Sequence, residues 1–352
     1  MSDKATRIKE ISIEHNATMI DALKQMDKTH KRLLLVFKDS QFISVLSIGD
    51  MQRAIIRNQP LNTPINKILR KETRVAHMED SFGFIKSQML KHKAECMPVI
   101  DKNNQLFDIH FWEDVFSEQE KPVKFELNLP VVIMAGGKGT RMKPLTNVIP
   151  KPLIPLGEKT IIEEIMDQFL QYKCTNFFLS VNYKAEAIKY YLNQTKYKYH
   201  IRYFHEDKPL GTAGSLHLLK NQISSPFFVT NCDIIIEEDY EEIYNYHRSN
   251  KNELTLVAAL KHFPIPYGTI ETGDNGLLNK ISEKPELTFK INSGMYILEP
   301  HLLNEIPINT FFHITNLIEN IKTRGGQIGV FPVIEGSWKD IGTWDEYFKQ
   351  IH

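Results

Sequence analysis

From residue 130 onward the chain alternates short apolar runs with amphipathic stretches, and this alternation restricts the fold more than any other feature. "LPVVIMAG", "TNFFLSVN", "HIRYFHE" and "PFFVTNCDI" read as strands, while "EKTIIEEIMDQFLQYK", "YKAEAIKYYLNQ" and "GTAGSLHLLKNQI" between them read as helices. Parallel strands need a long crossover, which a helix supplies while covering one face of the sheet. The expected architecture is therefore α/β, a mostly parallel sheet with helices on both faces. Ligands of such sheets collect beyond the carboxyl ends of the strands, so the chemistry should lie in the loops that follow them.

The residues before 130 follow a different pattern. "ATMIDALKQMDKTHKRLLLVFKDSQFISVLSIGDMQRAII" reads as helix, strand, turn, strand, helix, and "DSFGFIKSQMLKHKAECMPVIDKNNQLFDIHFWEDVF" repeats that order. A period of roughly 60 residues fits two stacked copies of a small α/β unit. The charged stretch from Ser117 to Pro130, bracketed by prolines, marks the boundary. The expected domains are 1–120 and 130–352, with 121–129 as linker.

Charge and cysteine content exclude several classes. Lys+Arg and Asp+Glu are equal at 43 each, so no net field draws the chain to nucleic acid or to an anionic membrane. Cys96, Cys174 and Cys232 have no metal-ligand spacing and read as reduced thiols of a cytoplasmic protein. The N-terminus has no apolar signal region and no run of 18 apolar residues occurs, so neither a membrane nor a nucleic-acid partner is expected.

The loop after the first of these strands, in "VVIMAGGKGTRMKPLTNVIPKPLIPLG", carries the strongest chemical signal. It is not a Walker A loop, because Gly139 follows Lys138 and Val132 stands where the first glycine belongs; it is not the dinucleotide fingerprint, because Met142 occupies the third glycine position. What remains is a glycine turn whose exposed N–H groups can cradle phosphate oxygens, followed by Arg141, Lys143 and Lys151 at spaced positions. Spaced cations suit a triphosphate, whose charge is spread along its length. Asp233 ends "FFVTNCD" and Asp340 lies in "SWKDIGTWDEY". Taken singly, these aspartates could be a helix cap and a turn residue. Beside a phosphate loop they are suitable Mg²⁺ ligands, since that ion takes one or two carboxylates together with phosphate oxygens.

The pattern "GGKGTRMKPLT…PKPL" resembles the sugar-1-phosphate nucleotidyltransferases across residues 130–352, and within them the guanylyltransferase branch. With "SIGDMQR" in the first repeat, residues 1–120 resemble a CBS pair, and the combination looks most like the glucosamine-1-phosphate guanylyltransferases of bacterial legionaminic acid synthesis. The resemblance implies a Rossmann-like catalytic domain in which Gly136, Gly137, Gly139 and Thr140 wrap the nucleotide. It implies that Arg141 grips the outer phosphates, that Lys151 reaches the reacting one, and that Asp233 and Asp340 hold Mg²⁺, with Asp233 also catalytic. In the CBS pair it implies a possible nucleotide ligand at Asp50, for which a helix-cap role is the alternative; "HFWEDVF" in the second copy keeps only Asp114.

The family places "HEDKPLGTAGS" against the base, with Glu206, Gly211 and Thr212 binding the nucleotide. An ionised Glu206 only accepts hydrogen bonds, which suits the adjacent N1–H and N2–H₂ of guanine better than a pyrimidine edge, so GTP is favoured over UTP, dTTP or CTP. For the sugar, the resemblance implies Gly268 in "PYGTIE", Glu283 and Lys284 in "ISEKPE", and Asn292 in "INSGMYIL". It is also the only basis for glucosamine; mannose or heptose 1-phosphate stay open. A homo-oligomer is expected, and a C-terminal hexapeptide-repeat domain is not. A non-catalytic sensor of nucleotide sugars is the alternative from another class, but such a degenerate chain would have lost one of Arg141, Lys151, Asp233 or Asp340, and all four are present.

Overall fold

The computed structural model describes residues 3–92, 94–116, 125–194 and 199–351. The chain divides between residues 123 and 124 into two compact units. Residues 121–124 of the expected linker lie outside the described residues.

The N-terminal unit contains two small sheets of the same pattern. In the first copy β1 (Ser12–Glu14) pairs in parallel with β2 (Leu33–Lys38), which pairs antiparallel with β3 (Gln41–Ser47). Its helices are α1 (Asp3–Glu10), α2 (Met19–Thr29) and α3 (Ile48–Ile56). In the second copy β4 (Ala76–His77) pairs in parallel with β5 (Cys96–Ile100), which pairs antiparallel with β6 (Leu106–Phe111), alongside α4 (Phe82–His92) and α5 (Trp112–Val115). Ile85, Met89, Met97 and Val99 share its core. Both α2 and α3 start on reciprocal capping boxes, Thr18 with Asp21 and Ser47 with Asp50. Such a pair satisfies two backbone donors that the first turn would otherwise leave orphaned.

The C-terminal unit is built on a seven-stranded sheet. Its chain-order elements begin with β7 (Val131–Met134), the short hairpin β8 (Pro155–Leu156) and β9 (Lys159–Thr160), and α6 (Ile161–Leu170). Next come β10 (Asn176–Val181), α7 (Ala185–Asn193), β11 (His200–His205), β12 (Phe227–Asn231) and β13 (Ile234–Ile236). Then follow α8 (Tyr240–Ser249), β14 (Leu254–Pro264), β15 (Thr269–Thr272), β16 (Leu278–Ser282) and β17 (Glu286–Leu298). The last are α9 (Ile314–Thr323), β18 (Ile328–Val333), β19 (Trp338–Asp340) and α10 (Trp344–Ile351). The sheet order is β11-β10-β7-β12-β17-β14-β18. All its pairs are parallel except the two made by β17, antiparallel to β12 and β14.

Val131, Val132 and Ile133 of the central β7 are fully buried, and each such side chain stabilises the fold by about 1.5–3 kcal/mol relative to exposure. On one face Val132 packs with Phe178, Val229, Leu298 and Leu317. Elsewhere Phe169 meets Phe228 edge-on at 5.2 Å and Tyr172 stacks on Tyr240 at 5.1 Å. Two segments depart from the sequence reading. "GTAGSLHLLKNQI" forms a 3₁₀ turn over Gly214–Leu219, because its start is drawn onto another loop: Ala213 and Gly214 both donate to the Phe312 carbonyl. "PFFVTNCDI" breaks in two, and β13 leaves the main sheet to pair with β19.

A surface network ties β14 to the helical side. The Arg324 guanidinium bonds Glu253 and Glu305, and His301 Nε2 lies 2.7 Å from Glu253. The hydrogen bond from Arg324 outweighs partial burial and holds the Glu253 carboxyl at about 2. A depressed carboxyl contributes stability above its unfolded value of 4.5 and loses it as pH falls toward 2. Arg324→Ala should cost about 1 kcal/mol at neutral pH, the scale of an exposed pair in a network. Urea titrations at a series of pH values should show the gap to wild type closing between pH 4.5 and 2; a gap of constant size would remove this assignment.

Candidate functional site

The parallel strands β7, β10, β11 and β12 end at one edge of the sheet, and the loops that follow them build the site. After β7 the backbone makes its sharp turn at Gly139, where φ is 61° and a Cβ would stand 2.9 Å from the Thr146 methyl. A side chain there would be strained both by the left-handed backbone and by that contact. Thr146 Oγ1 donates to the Gly139 carbonyl at 2.9 Å. The rest of the loop is clamped from two sides. Lys184 Nζ donates to the carbonyls of Asn147 and Val148 at 2.6 Å, and Tyr183 to that of Thr146 at 3.1 Å. From α10, Trp344 Nε1 donates to the Lys143 carbonyl at 3.0 Å.

This clamping delivers Lys151, only 7% exposed, to the end of β12. Its ammonium bonds Asp233 Oδ2. Arg141 Nη2 lies 3.7 Å from the same oxygen, while the Arg141 side chain stays 62% exposed. Pairing of β13 with β19 sets Ile234 opposite Asp340, and Ile341 N donates to the Asp233 carbonyl at 2.8 Å. The C-terminal Asp340 is thereby brought to the strand that carries Asp233. Burial and then the Asp233 charge push the Asp340 carboxyl up from its ordinary value. Gly342 N donates to Asp340 Oδ1 at 2.8 Å, and a Cβ on Gly342 would stand 2.6 Å from that oxygen and 2.8 Å from Arg141 Nη2. Two neighbouring carboxylates, one of them raised in part by the charge of the other, suit a divalent cation with an oxygen ligand set.

Two cavities meet here. One, of about 370 Å³, is lined by Gly136, Gly137, Gly139, Thr140, Arg141 and Lys151 on the loop side. Glu206, Gly211, Thr212 and Asp233 line its other walls. The second, of about 310 Å³, is lined by Asn292, Tyr296, Trp338 and Asp340 among others, and shares Arg141, Thr212, Asn231 and Asp233 with the first. Glu206 is 5% exposed. Its Oε1 accepts from the Ser180 hydroxyl and its Oε2 from Leu210 N at 3.2 Å. Both oxygens are thus already oriented, each with capacity for one further donor. Asn292 Oδ1 accepts from Gly294 N and the Tyr296 hydroxyl, so what it has to offer a ligand is its NH₂.

Cys232 beside Asp233 is buried, and burial followed by the Asp233 charge pushes its thiol up to about 12. It is a packing residue and not a nucleophile.

The structure does not bring the remaining candidates to this place. Gly268, Glu283 and Lys284 are exposed at the base of the β15–β16 hairpin and line neither cavity. Gly268 meets Glu283 instead: a Cβ on Gly268 would stand 3.1 Å from Glu283 Oε2. In the N-terminal unit, Asp50 is the third helical residue of α3 and the capping-box partner of Ser47, with its Oδ1 bonded to Arg53 and, at 2.8 Å, to Arg70. Asp114 pairs with Arg7 at 2.9 Å.

Several lining residues escaped the sequence reading. Asn231 and Gly342 flank the two aspartates by two residues and could have been found by proximity. Phe311, 60% exposed on the wall of the first cavity, could not. It lies in a loop without periodicity, held by Phe312 N donating to Leu210 O and by Ile314 N donating to Thr212 Oγ1.

Residues 130–352 match the sequence profile of the family described as "Nucleotidyl transferase". The chain is 33% identical over 233 residues to a mannose-1-phosphate guanyltransferase of Schizosaccharomyces pombe, with 62% of each chain covered. It is 34% identical over 220 residues to the mannose-1-phosphate guanylyltransferase catalytic subunit beta of Drosophila melanogaster, covering 60% of this chain and 58% of that one. The chain spans between 58% and 64% of the length of the curated relatives first matched. Among solved structures, HddC from Yersinia pseudotuberculosis superposes with a TM-score of 0.50 at 27% identity, covering 63% of this chain and 98% of that one. Among the described residues no helix is long and apolar enough to cross a membrane.

Proposed function

The chain belongs to the nucleotidyl transferase family, and from that premise we propose that it transfers GMP from GTP to a sugar 1-phosphate, giving a GDP-sugar and pyrophosphate. The observation that carries this reading is the meeting of Arg141, Lys151, Asp233 and Asp340 where two cavities join. One cavity has the glycine loop and a buried acceptor for a nucleotide. The other has polar groups suited to a sugar.

A sugar 1-phosphate is already an anion and needs no general base. One of its oxygens attacks the α-phosphorus of the nucleotide, a new P–O bond forms, and the bond to the β-phosphate oxygen breaks as pyrophosphate leaves with the electron pair. Positioning and charge neutralisation then supply the catalysis. The backbone N–H groups from Gly136 to Thr140 hold the phosphates. Arg141, its side chain largely exposed on the cavity wall, neutralises the leaving pyrophosphate. Lys151 stands where the α-phosphate and the sugar phosphate would meet. Asp233 and Asp340 fit the divalent metal generally used in this family, here Mg²⁺, which when bound would offset charge on the reacting phosphates.

Glu206 reads guanine as a pure acceptor and so favours GTP. Glucosamine 1-phosphate is our first choice of sugar, on the resemblance to the enzymes of legionaminic acid synthesis. Mannose 1-phosphate is the second reading, favoured by the names of the relatives at 33% and 34% identity. The two sugars differ at C2, and Gly268, Glu283 and Lys284 would reach a sugar only if their hairpin closed over it. The N-terminal unit is proposed to be a CBS pair that regulates or assembles the enzyme.

The test is pyrophosphate release by the full chain with Mg²⁺, each nucleoside triphosphate in turn, and glucosamine, mannose, glucose and heptose 1-phosphates. Turnover with GTP and a hexose 1-phosphate is expected. Absence of turnover with every pair would leave a binding protein.

A further inference from the structure

Among the described residues Phe311 is the one aromatic side chain that lines the first cavity, and it is absent from the lining of the second. Its ring is largely exposed, yet the segment that carries it is fixed to the loop after β11. Phe312 N donates to the Leu210 carbonyl at 2.9 Å, and the Phe312 carbonyl accepts from Ala213 N at 3.0 Å and from Gly214 N at 2.9 Å. Ile314 N donates to Thr212 Oγ1 at 3.0 Å. Two glycines permit so close an approach. A Cβ on Gly211 would stand 2.7 Å from the Phe312 carbonyl oxygen, and one on Gly214 would stand 2.6 Å from that of Thr310.

The ring itself is braced from one side. His313 meets it edge-on, with centroids 4.8 Å apart and planes at 81°, and His313 Nδ1 lies 3.3 Å from Thr212 Oγ1. An edge-on contact leaves at least one face of the phenyl ring open. The same loop orients Glu206, because Leu210 N donates to Glu206 Oε2 at 3.2 Å. Leu210 thus holds the buried acceptor through its N–H and the aromatic segment through its carbonyl. Glu206 offers oxygens to the edge of a base, and Phe311 offers a π-face.

We propose that Phe311 is the platform on which the base of the nucleoside triphosphate stacks while Glu206 accepts from the edge of that base. This rests on the reading of the first cavity as the nucleotide site. The backbone bonds set the ring in place before the ligand arrives, so little ordering has to accompany binding. A purine covers more of a phenyl face than a pyrimidine does, so Phe311 selects by ring size where Glu206 selects by hydrogen bonding. The base is remote from the reacting α-phosphorus, and its stacking is the same in the ground state and the transition state. Such uniform binding shows in KM and not in kcat.

Phe311→Ala should raise the KM for GTP about tenfold or more, the usual scale for loss of one base–aromatic stack. Its kcat and its KM for the sugar 1-phosphate should stay within about twofold of wild type. Phe311→Tyr should restore the KM, and Phe311→Leu, similar in bulk but without a π-face, should not. The leucine variant carries the test should alanine fail to fold by circular dichroism. A second readout needs no turnover: in Phe311→Trp a stacked base should quench the new indole, so GTP should lower the emission by more than in wild type, whose tryptophans are Trp112, Trp338 and Trp344. An unchanged nucleotide KM in Phe311→Ala, a leucine variant equal to wild type, or emission of Phe311→Trp that responds to nucleotide no more than wild type overturns the platform. A wild type that prefers UTP or dTTP defeats the guanine reading alone, since every base has a π-face and Phe311→Ala should still raise the KM for that nucleotide. A chain that turns over no substrate pair defeats the proposed reaction alone, and the emission of Phe311→Trp then decides the stack.

Discussion

Asp233→Asn and Asp340→Asn should each lower the rate of pyrophosphate release at saturating Mg²⁺ by at least about 100-fold, the scale on which a group stabilising transition-state charge acts. The two variants should nevertheless move stability in opposite directions. Asp233 is the partner of the buried Lys151 ammonium, and removing one member of such a pair costs up to about 3–5 kcal/mol because the other charge stays buried. Asparagine keeps an acceptor, so the lower part of that range is expected. Asp340 is different: its carboxyl is raised by burial and by Asp233, so at neutral pH its charge is held at a cost in the folded state. Neutralising it should leave the melting temperature unchanged or higher when measured with a chelator present. That advantage should fade as pH falls through the raised Asp340 value and be gone at the ordinary carboxyl value of 3.8, where the unfolded side chain is protonated too. More than a tenth of the wild-type rate in both variants would remove the metal assignment. Melting shifts of the same sign in both would contradict the ion pair and the repulsion described above.

Glu206→Gln should reduce the preference for GTP over UTP by about ten- to a hundredfold in kcat/KM, equivalent to the 1–3 kcal/mol cost of a buried polar mismatch. The surroundings dictate which way the amide would turn. Leu210 N–H needs an acceptor, so the carbonyl oxygen of glutamine should take that side. The NH₂ would then point to Ser180, whose hydroxyl can accept, and toward the guanine edge it would present a donor to a donor. The fold should tolerate the change, since both internal partners remain satisfied. UTP, which offers carbonyl oxygens on either side of its one N–H, should lose less or gain. A wild type that prefers UTP, dTTP or CTP would defeat the base assignment. A wild type that prefers GTP with an unchanged ratio in the variant would make Glu206 a structural residue that organises the Ser180–Leu210 loop.

The local half of this protein was legible in its sequence. Fully buried strands such as Val131–Met134 announce themselves because an uninterrupted apolar run between helices has few other uses. Glycines and cations close together in the chain, as from Gly136 to Lys151, stay close in space whatever the rest does. What the sequence could not decide were juxtapositions across long separations. Asp340 reaches Asp233 only because β13 leaves the main sheet for β19, and pairing between strands so far apart has no local signature. Phe311 lines the first cavity because backbone groups of two irregular loops bond each other, and backbone bonds carry no residue code. Asp50 looked available in "SIGDMQR", yet Arg70, contributed by a loop beyond α3, covers one of its oxygens. The same limit holds for Gly268, Glu283 and Lys284. Their types suit a sugar, but the pairing of β15 with β16 places them at the base of a hairpin, outside the lining of both cavities. The sequence determined most elements and the glycine loop because those depend on neighbours in the chain. The tertiary structure alone decided which carboxylates, aromatics and guanidinium groups face one another, because that depends on packing and sheet register summed over the whole unit.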